Sequence, residues 1–258
     1  MNGAGAGRSR VAVAGVACSL FGCVVAFAAG FGYRHGWWGL GVAFGRRVLG
    51  VPHVGLLPIG ALLALAGVVV SLVALVTALR TRTGGAGLAL LGLVGAVPPV
   101  VVFHQYRLAR TVPPINDVST DLQNPPAYVA AAANEFWKGK SLAYPAGFAD
   151  SVRRGYPDLG PRVLAVPPAR AFAVAHQAAQ GMPGWEITAV DSAAGRIEAT
   201  ATTRWFGFKD DIVVRVTPRG ADSATVDMRS KSRVGRSDVG ANAARIRDYF
   251  AALARAAR

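Results

Sequence analysis

Two stretches decide the fold: RIEATATTRWFGFKDDIVVRV (residues 196–216) and TVDMRSKSRVGRSDVGANAARIR (residues 225–247). The first alternates Ile197, Ala199, Ala201, Thr203 and Trp205 against Arg196, Glu198, Thr200, Thr202 and Arg204. Period-two alternation is the mark of a half-buried strand. Gly207 to Asp211 reads as a turn or bulge. A second strand follows, with Ile212, Val214 and Val216 on one face. After a turn over Pro218 to Ser223, a third sets Ala224, Val226 and Met228 against Thr225, Asp227, Arg229, Lys231 and Arg233. The stretch ends in a helix from about Val239, because Ser237 or Asp238 can accept from the free first-turn amides. Ile246, Phe250 and Leu253, at i, i+4 and i+7, give that helix a packing stripe.

Working outward, Trp185 to Val190 is a further strand, joined by the hairpin loop Asp191 to Gly195. Pro168 to Gln180 is a helix, with Pro in its first turn and Phe172, His176 and Ala179 near one face. Arg162 to Val166 is a candidate short strand, and Tyr128 to Trp137 a candidate short helix. The pairs Pro113-Pro114 and Pro125-Pro126 bar helix across residues 104–145, which read as linker and wrap. Short connections between the strands favour an antiparallel four-stranded meander with helices packed on it, an α+β domain over residues 146–258.

The N-terminal part has another composition. All 14 acidic residues lie beyond Phe103, while 7 of the 28 basic ones precede it. Each part therefore carries +7 of the net +14. An apolar half without carboxylates, followed by a mixed-charge half, reads as a membrane region joined to a separate domain. After a basic start (residues 1–10), about three transmembrane helices are expected, near 11–33, 54–79 and 86–103. A signal peptide is the competing reading of the first. Leu20-Phe21-Gly22-Cys23 approaches a lipoprotein cleavage site, but Phe21 is bulky and the chain stays apolar after Cys23. Cleavage there would leave two spans. Arg34 to His53 is a loop whose Trp37 and Trp38 suit the membrane–water boundary. Arg80 to Gly85 is a tight basic turn, and Pro98-Pro99 interrupts the third span. The positive charges flanking the spans nearly tie. With the N-terminus inside, three spans place the C-terminal domain outside, in the periplasm of a multi-pass protein of the bacterial inner membrane.

Candidate functional residues concentrate in the quoted stretches. Asp210-Asp211 is a carboxylate pair of the kind used in acid–base catalysis or metal binding. Adjacent strand residues point to opposite faces, however, and the neighbouring arginines offer ion pairs instead. Arg204, Arg215, Arg229, Lys231 and Arg233 alternate onto the face opposite the apolar one. That face is either a basic surface for an anion or a solvated, ion-paired face with Glu198 and Asp227 as partners. Ser230, Ser232 and Ser237 lack a nucleophile elbow, and His176 reads as a packing histidine. Asn116 to Asp121 lacks the spacing of a calcium loop and fits an Asx-turn. Cys18 and Cys23 both fall in the first apolar stretch, which leaves no cysteine-based metal site in the domain. No metal or cofactor is expected, since the glycines form no phosphate loop, and no nucleic-acid-binding motif is present.

Taken with Pro114 to Asp121 and Gly184-Trp185, the runs Ile197 to Thr202, Phe206 to Asp211, Asp227 to Ser230, Ser232 to Gly235, Ser237-Asp238 and Asn242 to Arg247 carry a resemblance. Over Thr111 to Leu253 the chain resembles the family known as domain of unknown function fourteen-ninety-nine, found in proteobacteria and photosynthetic lineages. The resemblance implies a small extracytoplasmic or membrane-attached domain. It brings no established activity and no assigned catalytic residues, and the apolar helices lie outside it.

Three functions are open at this point. The domain binds an anionic lipid, an envelope polymer or a partner protein at the membrane surface; or it is an enzyme acting on a lipid or envelope substrate through Asp210 or Asp211; or it is a structural subunit of a membrane complex.

Overall fold

The computed structural model describes the backbone of residues 3–48, 51–82 and 84–258, and side chains over 10–45, 54–82 and 84–258. Met1 and Asn2 of the basic start, Leu49 and Gly50 of the tryptophan loop, and Thr83 of the basic turn lie outside the described residues. The chain forms two compact units, Met1–Arg107 with Trp205–Gly207, and Leu108–Arg204 with Phe208–Arg258.

The first unit begins with α1 (Gly3–Arg34) and α2 (Leu40–Phe44), followed by a hairpin of β1 (Gly45–Val48) and β2 (Val51–Val54). Helices α3 (Leu56–Thr81), α4 (Ala86–Gly92) and α5 (Val97–Ala109) complete the apolar part, with a 3-10 turn at Leu93–Ala96 between the last two. Three segments are long and apolar enough to cross a membrane: Arg10–Arg34, Leu56–Thr81 and Ala86–Ala109. Helix α1 runs unbroken through Leu20 to Cys23. Small residues let α1 and α3 touch backbone to backbone. A β-carbon on Gly22 would fall 2.2 Å from the Ala64 nitrogen, and one on Gly60 2.4 Å from the Ala26 nitrogen. Such close approach drives helix association where the surroundings are as apolar as the side chains. The 3-10 turn precedes Pro98-Pro99, whose missing N–H groups free the carbonyls one turn back. The freed Val94 carbonyl accepts from the Val97 N–H.

The second unit is a six-stranded antiparallel sheet, where the sequence predicts a four-stranded meander. Its strands are β3 (Asp117–Ser119), β4 (Arg162–Leu164), β5 (Trp185–Asp191), β6 (Arg196–Thr202), β7 (Lys209–Pro218) and β8 (Ala224–Ser232). The meander β5-β6-β7-β8 is present as expected. The two extra strands both complete the outer edge of β8, end to end: β3 pairs with Arg229 to Lys231, and β4 with Ala224 to Val226. Each is three residues long, too short to print a period of two. They are strands because β8 offers unpaired backbone groups that must be satisfied.

Helices α6 (Phe148–Gly155), α7 (Pro168–Gln180) and α8 (Ala241–Ala256) complete the unit. One face of the sheet presents Ile197, Ala199, Ala201, Ile212, Val214, Val216, Val226 and Met228 to α7 and α8. Helix α8 contributes the predicted Ile246, Phe250 and Leu253, together with Tyr249, whose hydroxyl donates to the Ala175 carbonyl at 3.0 Å. On α7 the buried face is Ala171, Val174, Ala175, Ala178 and Ala179. Phe172 and His176 sit half-buried at its margin with stacked rings, because the small residues are the ones that let the helix approach the sheet. Helix α8 starts at Ala241, two residues later than expected, with Gly240 at the N-cap position, and Asp238 just before it accepts from the amides of Gly240 and Asn242.

Candidate functional site

The strand register sorts the predicted site residues that lie in β7 and β8. Asp210 and Asp211 point to opposite faces, as adjacent strand residues must. Asp210 faces the helices. There its carboxylate meets the Arg245 guanidinium of α8, which also donates to Ser230 Oγ and to Asn242 Oδ1. Asn242 in turn donates to Ser232 Oγ at 3.0 Å. The serines are thereby spent on a buried hydrogen-bond net.

Asp211 faces the other side, with Arg215, Asp227, Arg229 and Lys231, and is 1 % exposed. This second face is covered by the segment after β3. Tyr128, Ala131 and Trp137 of that segment, which forms 3-10 turns at Ala131–Ala133 and Glu135–Trp137, pack on Val213. The expected short helix over Tyr128 to Trp137 is thus two separate 3-10 turns.

Beneath the cover the charges pair across long sequence distances. Arg229, 3 % exposed, grips Asp117 with both arms of its fork, Nε to Oδ1 at 2.9 Å and Nη2 to Oδ2 at 2.8 Å. It also donates to the carbonyls of Pro126 and Leu142 and lies between the Tyr128 and Tyr144 rings at 4.8 and 5.1 Å. Burial opposes its charge, but Asp117 and the two tyrosines more than offset it, and its pKa lies above the usual arginine value. Lys231 donates to the same Asp117 carboxylate at 3.0 Å. Arg233 forks onto Asp211 at 2.8 and 2.7 Å, where Trp137 Nε1 and Thr200 Oγ1 add a bond each. Arg215 reaches Asp121 and Asp227. Glu198, 1 % exposed, accepts from three consecutive backbone amides, those of Val129, Ala130 and Ala131. Burial raises the Tyr128 pKa, and the surrounding carboxylates push it further.

The structure thus brings together four of the five predicted basic residues and places them on the chain's own carboxylates. Arg204 lies apart and exposed in the loop after β6. Asp227 is among the partners, as the ion-paired reading has it. Glu198 instead holds the cover and makes a longer contact to Arg196 at 3.4 Å. Asp117, Tyr128, Trp137, Tyr144 and Arg245 are members of the network that were not among the predicted site residues. They carry no periodic signal, and only the surplus of arginines on one sheet face hints that partners must come from elsewhere. Among the described residues no group of three or more His, Cys, Asp or Glu side chains could hold a metal ion. An open groove of about 530 Å³ lies at the other end of the sheet, by Pro168, Phe172 and the hairpin Ser192 to Gly195. Its lining includes Arg215 and no carboxylate.

Asp238 provides a test by pH. Its burial raises its pKa, with the amides of Gly240 and Asn242 pulling the other way. The folded state therefore holds this proton more tightly than the unfolded chain does. Stability from this group is full below the ordinary aspartate pKa of about 4 and is lost as pH rises through the higher folded value. Asp238→Asn removes the titration but keeps only one of two amide bonds. We expect a lower melting temperature overall and a shallower decline from pH 4 upward. The decline does not vanish, because burial shifts Asp227 in the same direction. Thermal unfolding of both proteins across that range checks this.

The fold and its charged interior define the class: an α+β domain with a covered, ion-paired sheet face, in a chain that also has three helices long enough to span a membrane. The chain belongs to the family described as "Protein of unknown function (DUF1499)", whose model matches residues 117–253, more than half of its length. The match opens on β3 and closes in α8, so it takes in the whole ion-pair network and leaves the apolar helices outside. No curated protein and no solved structure matches the chain.

Proposed function

We propose that this is a non-enzymatic membrane protein whose C-terminal domain binds an anionic envelope component or a partner protein at the membrane surface. One observation supports it above the others: the carboxylates that acid–base chemistry would need are already committed. Asp210 is bonded to Arg245, and Asp211 to Arg233, Trp137 and Thr200. Buried pairs of this kind hold a fold together by mutual dependence and leave no proton acceptor facing a ligand. The domain's surplus of positive charge remains for an outside partner. In this reading the protein sits in the bacterial inner membrane with its C-terminal domain on the periplasmic side.

Two measurements test the reading. Reporter fusions after Leu79 and after Arg258 are expected to place the second of these outside the cytoplasm. The full chain in neutral nanodiscs is expected to retain anionic vesicles or soluble polyphosphate, more weakly as salt rises. Asp210→Asn and Asp211→Asn variants that keep their fold but lose a cellular phenotype, with anion retention unchanged, would replace this proposal with the catalytic one.

A further inference from the structure

The four basic residues that pair beneath the cover are neutralised there. A different set stands outside. Lys138 and Lys140 follow the second 3-10 turn of the cover, Lys209 opens β7, and Arg236 lies in the loop after β8; all four are exposed. Lys138 and Lys140 flank the turn that carries Phe136, which is half-buried. Lys140 Nζ lies 3.5 Å from the Phe136 ring centre, and the Arg233 guanidinium 5.6 Å from it. The Arg233 amide donates to the Lys209 carbonyl at 3.0 Å, which ties the start of β7 to the same rim. The local acid is Glu135, paired with Lys138 at 3.4 Å, with both side chains more than three-quarters in solvent. Such a pair is weak and open to exchange. Among the described residues no carboxylate bonds to Lys140, Lys209 or Arg236.

We propose that this rim, the exposed Lys138, Lys140 and Lys209 with Phe136 beneath Lys140, docks on the phosphate headgroups of an anionic lipid leaflet. The inference rests on the anion-binding reading above and narrows it to one ligand source and one surface. Lysine suits the role because its compact, flexible ammonium meets scattered phosphates as a point charge, whereas the forks of Arg229 and Arg233 are taken up by the buried Asp117 and Asp211. Phe136 adds an apolar body under Lys140, the combination that favours the headgroup–acyl boundary. A bilayer is the favoured source of phosphate because the chain carries its own spanning-length helices. Only residues 110–116 separate α5 from β3, so the domain is tethered at high effective concentration near lipid.

The experiment uses the full chain in phosphatidylcholine nanodiscs, floated with vesicles of phosphatidylcholine alone or with about one-third phosphatidylglycerol, and separately mixed with polyphosphate. Wild type is expected to bind the anionic vesicles alone, and Lys138→Gln/Lys140→Gln/Lys209→Gln to bind them about 100-fold more weakly, from three lost headgroup attractions. All three side chains are exposed, so an unchanged melting temperature is expected and serves as the folding control. If the triple variant binds anionic vesicles as wild type does, this surface is wrong while the anion reading stands. If wild type ignores the vesicles but holds polyphosphate, the lipid source is wrong and the anion reading again stands. If wild type holds neither, both fall.

Discussion

Arg229→Met is expected to destabilise the C-terminal domain by about 4 kcal/mol, the range for removing one member of a buried ion pair. Methionine matches the length of the arginine stem and contributes nothing to Asp117, which is 0 % exposed. Lys231 remains within 3.0 Å of that carboxylate and supplies one bond where the fork supplied two. The carbonyls of Pro126 and Leu142 lose a donor as well. For a domain of this size the melting temperature falls by roughly 12 °C. Arg229→Lys is expected to recover only part of that loss, since an ammonium cannot reproduce two parallel bonds and two carbonyl contacts at once. Arg219→Met, in the exposed turn between β7 and β8, is the control and should melt with wild type. Unfolding of Arg229→Met alongside that control would mean that the fork is a bystander and that the cover is held by its few apolar contacts.

The second large effect concerns Glu198. One buried carboxylate satisfies three amides in a row, that of Ala131 buried and those of Val129 and Ala130 partly so, at 2.8, 2.9 and 2.9 Å. Glu198→Gln keeps a single acceptor and turns an amide donor toward backbone donors. Glu198→Ala removes every acceptor. Leaving a buried donor unsatisfied costs about 1–3 kcal/mol, with the two partly buried amides at the low end, so a total of about 4 kcal/mol is expected for the alanine variant. The loss should be local before it is global, because the cover is held to β6 at this point while the helix-side core is untouched. Hydrogen exchange reads the difference. The amides of Val129, Ala130 and Ala131 should lose protection by a factor of about 100 or more, while those of β7 and β8 change little. Equal loss of protection in all of them would show that cover and sheet open as one unit.

Much of the architecture was legible because it rests on periodicity. The three apolar segments, the alternation of β6, β7 and β8, and the Ile246–Phe250–Leu253 stripe each repeat with the period of their element, and a repeat survives without knowledge of neighbours. The opposite directions of Asp210 and Asp211 follow from the same rule. The strand β3 was not legible, β4 only as a candidate short strand at Arg162 to Val166 with no stated partner, and the cover only as linker and wrap. Asp117-Val118-Ser119 has no pattern of its own, and the Pro-rich stretch after it turns without a period. What places them is demand from the sheet: an unpaired edge on β8, and a face of charges that water would otherwise solvate.

The sequence alone determined the division into apolar helices and an α+β domain, the faces of the central strands and the class of residue on each, since these follow from hydrophobic spacing and strand geometry. Only the tertiary structure decided which charge meets which. Arg229 finds Asp117 across 112 residues and Arg245 finds Asp210 across 35. The reason is physical. A buried charge is tolerated only where partners converge in three dimensions, and convergence is a property of the packed chain that no spacing along it encodes.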